Sequence, residues 1–315
     1  MSSPVGTGDF QYDFIDDWAT TGPDGARVGG PTHGVAVDDD GRVIVFHQND
    51  PGGHAFLVYD REGRLADSFG DQPGAHGLSR MRDGSFWITD ETTCVVRHYS
   101  DRGDVLLELP PPPQADIGTS GRHPRFVPTW ADVAPDGVVW VADGYGSFGV
   151  FRYDADGNYL GRFDADLREP HGLAFSPEGE LYIADRGRQT VRVYDAAGRF
   201  LRSSATACHS PSSFAFHDGL VYVAEIAGSV KILDRELDVL ADLAPNPVIR
   251  PNPQGHPNGW WPDEVQRAGG YPNLPRDALP SGRFWTPHGV AVAPSGDVFV
   301  VEWYRGGRII KLRRR

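Results

Sequence analysis

Apolar and polar residues alternate in short runs along most of this 315-residue chain, and glycine-containing turns separate the runs. In one example, an alternating run at residues 171–175 is followed by a Glu-Gly turn at 178–179 and a second run at 181–185. A period of two, with a turn after every few residues, is typical of short antiparallel strands. The pattern therefore predicts an all-β chain.

The alternation recurs as a longer repeat in which a polar residue opens the unit and a second polar residue follows 14 positions later, or 13 in one unit. The units begin at residues 33, 76, 129, 171, 212 and 288, with steps of 43, 53, 42, 41 and 76. Four strands in about 42 residues correspond to one propeller blade. We therefore predict a six-bladed β-propeller. The last unit ends after three strands, so we expect an N-terminal strand at residues 10–14 to complete it.

The two long steps locate two insertions, at about residues 107–128 and 244–286, within a single propeller domain that spans residues 1–315. Each insertion joins the outer strand of one blade to the inner strand of the next. Both should therefore border the end of the channel where the inner strands begin. Long loops of this kind are either functional or disordered, and the tryptophans of the second favour an ordered lid.

Charge and composition exclude several classes of function. The formal net charge is −13, which disfavours binding to nucleic acid or to an anionic membrane surface. The chain has no apolar run of 18 residues and no evident signal peptide at its start. Its two cysteines, Cys94 and Cys208, are too far apart for a metal motif. These features predict a cytoplasmic protein.

The residues that open the six units should lie together at the rim of the central channel. They are His33, His76, Thr129, His171, Ser212 and His288. Alternate blades of a sixfold ring lie about 120° apart, so the histidines of blades 2, 4 and 6 should converge on the axis. Three neutral imidazoles with an open position are typical of catalytic zinc sites.

We therefore predict a metal bound by His76, His171 and His288. The alternative is that each imidazole only binds backbone. Zinc is the expected metal, although three imidazoles also accept iron(II), manganese or cobalt. We interpret His33 as a channel or substrate-binding residue rather than a ligand.

Residues just after the second polar position of each unit should also point toward the mouth. Tyr145 is a candidate acid or base, and Arg186 is a candidate clamp for a substrate carboxylate. The alternatives are a rim aromatic and an ion pair with a neighbouring blade. Gln48, Trp303 and Trp285 are candidates for contacts with the substrate.

An acidic residue occupies the second polar position in five of the six units. These residues are Asp90, Asp143, Asp185, Glu225 and Glu302. A residue that every blade needs is better explained by structure than by catalysis, and carboxylates commonly accept hydrogen bonds from loop amides.

Together these motifs resemble NHL-type repeats and, in detail, the lyase domain of the peptidylglycine α-amidating enzymes, which is a six-bladed propeller. That family's three zinc-binding histidines match Ala75-His76-Gly77-Leu78, Pro170-His171-Gly172-Leu173 and Pro287-His288-Gly289-Val290. Its catalytic tyrosine and one arginine match Ala142-Asp143-Gly144-Tyr145 and Ala184-Asp185-Arg186. A second family arginine has no match near Gln48. Gly289 replaces the family's calcium ligand, which argues against calcium.

The resemblance implies a divalent-metal lyase that acts on a small α-hydroxy-amide or a related hydroxylated metabolite. Two other functions stay open on the same fold. One is a non-catalytic scaffold that binds a protein or peptide. The other is a lactonase, which would use carboxylates and amides around a calcium ion rather than histidines.

Overall fold

The computed structural model describes residues 3–16, 18–19, 30–48, 53–119, 121–247, 279, 281–304 and 306–315. Within them the chain forms 25 strands and one short 3-10 helix, Arg186–Arg188. No helix in these ranges is long and apolar enough to cross a membrane.

Twenty of the strands form five four-stranded antiparallel sheets, which are blades 1 to 5. Blade 1 contains β3 (Thr32–Val37), β4 (Val43–His47), β5 (Phe56–Tyr59) and β6 (Leu65–Phe69). Blade 2 contains β7 (Ala75–Arg80), β8 (Phe86–Asp90), β9 (Val95–Tyr99) and β10 (Val105–Glu108). Blade 3 contains β11 (Trp130–Val133), β12 (Val139–Ala142), β13 (Val150–Tyr153) and β14 (Tyr159–Phe163). Blade 4 contains β15 (Pro170–Phe175), β16 (Leu181–Asp185), β17 (Thr190–Tyr194) and β18 (Phe200–Ser203). Blade 5 contains β19 (Pro211–His217), β20 (Leu220–Glu225), β21 (Ser229–Leu233) and β22 (Val239–Leu243).

Blade 6 joins the two ends of the chain. It contains β23 (Pro287–Val292), β24 (Val298–Glu302) and β25 (Arg308–Arg314), and the N-terminal strand β2 (Phe10–Ile15) pairs with β25. A further strand, β1 (Ser3–Thr7), adds a fifth position at the outer edge. The predicted six-bladed propeller, closed by an N-terminal strand, is confirmed, and β1 is an addition to it.

The ring is held together by apolar packing between neighbouring blades. The first strand of each blade contacts the first strands of the two adjacent blades, and β23 meets β3 to close the circle. One buried apolar cluster lies at each junction between blades. The tight turn between the first two strands has a glycine at positive φ in every blade, as at Gly137 with φ 88°. Glycine adopts this conformation without the penalty that other residues meet.

The two predicted insertions follow β10 and β22. Most of residues 107–128 lies between β10 and β11, although its first two residues still belong to β10. Residues 244–286 lie between β22 and β23, and 248–278 and 280 fall outside the described residues. The ordered lid therefore stays a prediction.

Candidate metal centre and channel mouth

The six residues that open the repeats lie at the start of the inner strands and are buried. Their side chains have relative exposures of 0 or 1%. At four of these positions the pairing between the first two strands shifts register around a histidine, as between Ala75 and Leu78 in blade 2. Irregularities of this kind redirect a side chain out of the regular alternation. This local distortion allows the imidazoles to turn toward the channel.

The three histidines predicted as ligands form a nearly equilateral triangle. The ring centroids of His76 and His288 are 4.8 Å apart, those of His76 and His171 are 4.8 Å apart, and those of His171 and His288 are 4.9 Å apart. The predicted convergence of alternate blades on the axis therefore occurs in the structure.

His33 also belongs to this cluster. Its ring centroid lies 4.8 Å from that of His76 and 4.5 Å from that of His288. The potential ligand atoms of these three residues all lie within 4.8 Å of one another. This compact group of described residues contains His33 in the place of the predicted ligand His171, so the distances between ligand atoms alone do not favour the predicted set.

A hydrogen bond to the next blade does separate His33 from the other three. The Nδ1 atoms of His76, His171 and His288 lie 2.7, 3.0 and 2.9 Å from the backbone carbonyl oxygens of Thr129, Ser212 and His33, respectively. A carbonyl oxygen can only accept, so each Nδ1 must carry a proton and each Nε2 must carry a lone pair. Among the described residues, Nδ1 of His33 has no such partner.

The glycine after each of these three histidines makes the interaction possible. A Cβ atom at Gly77, Gly172 or Gly289 would lie 2.5, 2.1 or 2.6 Å from the same carbonyl oxygen that accepts the imidazole proton. Any side chain there would push the neighbouring blade away. The recurring His-Gly pair therefore has a physical cause, which is the close approach of the next blade's backbone.

All four imidazoles are neutral near neutral pH. Burial lowers the pKa of His76 to about 3, with smaller effects from Arg186 and Arg122. Burial also holds the pKa values of His33, His171 and His288 well below the usual range, and neighbouring positive charges add to the effect. Neutral imidazole is the form that binds a metal ion.

Tyr145 lies against two of the three histidines. Its hydroxyl oxygen is 3.3 Å from Nε2 of His76 and 3.1 Å from Nε2 of His171, and Nη1 of Arg186 donates to it over 3.3 Å. A phenol has one proton, so it can donate to only one of the two Nε2 lone pairs. Burial also raises the pKa of Tyr145, which keeps the phenol protonated.

Arg122 and Glu169, which sequence reasoning missed, form a charged cluster with the predicted Arg186 beside Tyr145. Arg122, from the loop between β10 and β11, donates through Nη2 to the Glu169 carboxylate over 2.7 Å. The same carboxylate oxygen lies 3.7 Å from Nη1 of Arg186. The guanidinium of Arg122 also lies over the Tyr145 ring, 4.8 Å from its centroid. The only available signal was the position of Arg122 in an insertion expected to border the mouth.

The remaining site candidates lie around this centre. Gln48 donates to the Glu91 carboxylate over 2.7 Å. The ring of Trp303 has its centroid 6.4 Å from that of His33. Trp285 is buried, and its backbone N–H donates to Glu302. Their roles in substrate binding stay predictions.

The carboxylates at the second polar position of the repeats accept hydrogen bonds from backbone N–H groups, as expected. The Asp90 carboxylate accepts three backbone N–H groups, from Gly74, Thr92 and Thr93. The carboxylates of Asp143, Asp185, Glu225 and Glu302 likewise accept backbone N–H groups from the segment that leads into the inner strand. These contacts join the beginning and the end of each hairpin.

The chain is similar to an NHL repeat over one segment and to an amidating lyase over about half of its length. The NHL repeat model matches residues 167–194. The chain is 26% identical over 200 residues to the probable peptidyl-alpha-hydroxyglycine alpha-amidating lyase pgal-1 of Caenorhabditis elegans, covering 53% of this chain and 56% of that protein. The resemblance predicted from the motifs is confirmed. The matched region is little more than half the length of either protein.

Solved structures share the fold over almost the whole chain. A streptogramin B lyase superimposes with a TM-score of 0.61 at 14% identity, covering 96% of this chain and 97% of that one. A gluconolactonase from Xanthomonas campestris gives a TM-score of 0.63 at 15% identity, covering 98% and 94%. At these identities the likeness concerns the propeller architecture, which hosts different reactions.

Proposed function

We propose that the chain is a divalent-metal-dependent lyase whose substrate is a small α-hydroxy-amide or a related hydroxylated metabolite. Zinc is the proposed metal, and iron(II) would suit the same ligands. One observation carries the proposal: three buried neutral imidazoles whose Nδ1–H groups are bound to backbone carbonyls. Their Nε2 atoms therefore remain as ligands, and hydrogen bonds of this kind orient metal-binding histidines in proteins.

The contacts around the Nε2 atoms fit a bound cation. The hydroxyl of Tyr145 faces two Nε2 lone pairs, of which it can satisfy one. Nε2 of His288 is buried and has no hydrogen-bond partner among the described residues. A buried acceptor without a partner carries a substantial free-energy cost. A cation held by His76, His171 and His288 would use these lone pairs and remove that cost.

The proposed reaction breaks the carbon–nitrogen bond of the α-hydroxy-amide. The carbinol oxygen loses its proton and becomes a carbonyl, while the departing amide nitrogen gains a proton, so no oxidant or water is consumed. When bound, the metal would supply Lewis-acid polarisation of a substrate oxygen. Tyr145 would hold or transfer the proton at its hydroxyl oxygen, and Arg186 would orient a substrate carboxylate.

The first experiment is the metal content of untagged protein, measured by inductively coupled plasma mass spectrometry. About one zinc or iron per chain is expected in the wild type, with loss of that metal in His76→Ala, His171→Ala and His288→Ala. His98→Ala is the matched control, because His98 stacks on Trp87 within blade 2 and binds Ser85. Full metal content in His171→Ala would refute the ligand set.

The reaction is tested separately with N-benzoyl-α-hydroxyglycine, whose cleavage releases benzamide and glyoxylate. Turnover that requires the bound metal is expected. A metal-loaded protein that leaves this compound and related α-hydroxy-amides unchanged would refute the lyase. Wild-type protein that binds no metal, even with added zinc or anaerobic iron(II), would favour a binding scaffold.

A further inference from the structure

We propose that Arg122 binds the substrate's carboxylate and determines specificity for anionic substrates, an inference that rests on the proposed small-molecule function. Arg122 lies outside the repeats, in the loop between β10 and β11. The blade-1 stretch around Gln48 contains no arginine. Arg122 brings a second guanidinium group to Tyr145, in addition to that of Arg186.

The loop fixes Arg122 next to Tyr145. On one side of Arg122, a Cβ atom at Gly121 would lie 1.7 Å from the carbonyl oxygen of Gly146, so the two backbones are in direct contact. On the other side, the backbone N–H of His123 donates to that same oxygen over 3.3 Å. Since Gly146 directly follows Tyr145, both neighbours of Arg122 are anchored at the candidate proton-transfer residue.

Glu169 orients the two guanidinium groups. It accepts from Arg122 over 2.7 Å and lies 3.7 Å from Nη1 of Arg186. Glu169 itself is only 7% exposed and has a positive φ of 78°, which is uncommon for a residue other than glycine. Its backbone carbonyl accepts the N–H of Arg186, so backbone and side chain both hold this arrangement.

Two guanidinium groups share the carboxylate of Glu169. Glu91 is a second acidic group whose charge acts on both arginines; burial raises its pKa, whereas the hydrogen bond from Gln48 and the charges of Arg122 and Arg186 lower it. An exposed guanidinium at this point of a chain with a net charge of −13 attracts anionic ligands.

Hydrogen-bond donors also remain for a ligand. In the described part of the chain, the side chain of Arg122 makes one hydrogen bond, to Glu169, and is 29% exposed. Nε of Arg186 is buried and lacks a partner among the same residues. Guanidinium groups bind carboxylates and phosphates with paired, charge-assisted hydrogen bonds, and the carboxylate is the anion that the proposed substrate carries.

The test measures binding to the zinc-loaded protein by isothermal titration calorimetry, with a charged and a neutral probe of similar shape. The charged probe is N-benzoylglycine and the neutral probe is N-benzoylglycinamide. Arg122→Gln is expected to weaken binding of the charged probe about 10- to 100-fold and to leave the neutral probe unchanged, because a charge-assisted hydrogen bond is lost. Arg122→Lys should restore part of the affinity.

Arg125→Gln is the matched control, since Arg125 is exposed in the same loop and its charge acts on Cys94. Equal binding of the two probes by the wild type would overturn the proposal. So would an equal loss in Arg122→Gln and Arg125→Gln, or no loss in Arg122→Gln. If binding depends on Arg122 while N-benzoyl-α-hydroxyglycine is not cleaved, the carboxylate site stands and the lyase fails.

Discussion

The Nδ1 atom of His288 lies 2.9 Å from the backbone carbonyl oxygen of His33, although the two residues are 255 positions apart in the chain. This hydrogen bond crosses the junction at which the last blade meets the first. A ligand of the proposed metal is thereby attached to the point of ring closure.

Metal binding should therefore stabilise the closed ring. A ligand at 100 times its Kd stabilises the native state by about 2.7 kcal/mol, so zinc should raise the Tm by several degrees. Differential scanning calorimetry of chelated and zinc-loaded protein measures this shift. His288→Ala should lose the zinc-dependent shift, whereas His98→Ala should keep it. An unchanged shift in His288→Ala would contradict the prediction.

Gly172→Ala should weaken both the fold and the metal site. The new methyl would lie 2.1 Å from the Ser212 carbonyl oxygen that accepts the His171 proton. We expect a loss of about 2–4 kcal/mol in the free energy of unfolding and a 10- to 100-fold loss in zinc affinity, about the effect of losing an orienting partner. Gly137→Ala is the control, because open space surrounds that position. Gly137→Ala strains only the backbone, because Gly137 has a positive φ. The zinc affinity of this variant should not change.

Tyr145→Phe should lower kcat by about 100- to 10,000-fold, the usual range for loss of an acid–base group, without loss of metal. The substitution removes the hydroxyl that lies between His76 and His171 and keeps the ring. Steady-state kinetics with N-benzoyl-α-hydroxyglycine, combined with metal analysis, tests this. Tyr153→Phe is matched, because its hydroxyl binds only the Pro110 carbonyl among the described residues. A comparable loss of kcat in both variants would argue against a role for Tyr145.

Asp90→Ala should destabilise blade 2 and leave the chemistry intact. Three backbone N–H groups would lose their acceptor, with an expected cost of about 2–4 kcal/mol in the free energy of unfolding. Denaturant unfolding measures the cost. If Asp90→Ala instead lost its metal at unchanged stability, the acidic position would have a functional role.

Asp132 should lower the stability of the protein as the pH rises from about 4 to about 6, in opposition to the buried histidines, whose lowered pKa values favour the folded state as the pH rises. Burial raises the pKa of Asp132 to about 6, although the N–H groups of Phe175 and Val133 bind its carboxylate. Between the unfolded and folded pKa values the native state binds more protons, so raising the pH favours unfolding until both forms are ionised. Above pH 6 this contribution is constant.

Asp132→Asn cannot titrate and should escape this change. Its free energy of unfolding relative to the wild type should therefore rise by about 1–3 kcal/mol between pH 4 and pH 6.5 and stay level above that. Urea unfolding of both proteins across this range provides the measurement. Parallel pH profiles for the two proteins would contradict the assignment.

Much of this architecture could be predicted from the sequence, because the signals are local. Alternation and glycine turns define the strands, and the spacing of the repeats places His76, His171 and His288 on alternate blades. The hydrogen bonds of their Nδ1 atoms could not be predicted, since they depend on how closely one blade approaches the next. The same is true of His33, whose ring direction follows from a register shift between Thr32 and Gly34.

Arg122 shows a different limit. The loop that carries Arg122 has no periodic pattern. The position of Arg122 depends on contacts between this loop and Gly146, which lies between two strands of blade 3. The sequence predicted that the insertion would border the channel mouth. It did not predict which side chain of the insertion would contact Tyr145. No arginine lies near Gln48 in the sequence, and the structure instead brings a second guanidinium to Tyr145 from this loop.

The hydrogen bonds between histidines and the backbone of neighbouring blades relate the site to whether the number of blades is even or odd. Even-numbered blades contribute the imidazole donors, and odd-numbered blades contribute the carbonyl acceptors. A ring with one blade more or fewer could not alternate, because two donors or two acceptors would become neighbours at the closure. Adding or removing two neighbouring blades would preserve the alternation. The site would then have four histidines or two instead of three. A symmetric site of three histidines on alternate blades therefore requires three pairs of blades, and the six-bladed ring of this chain supplies them.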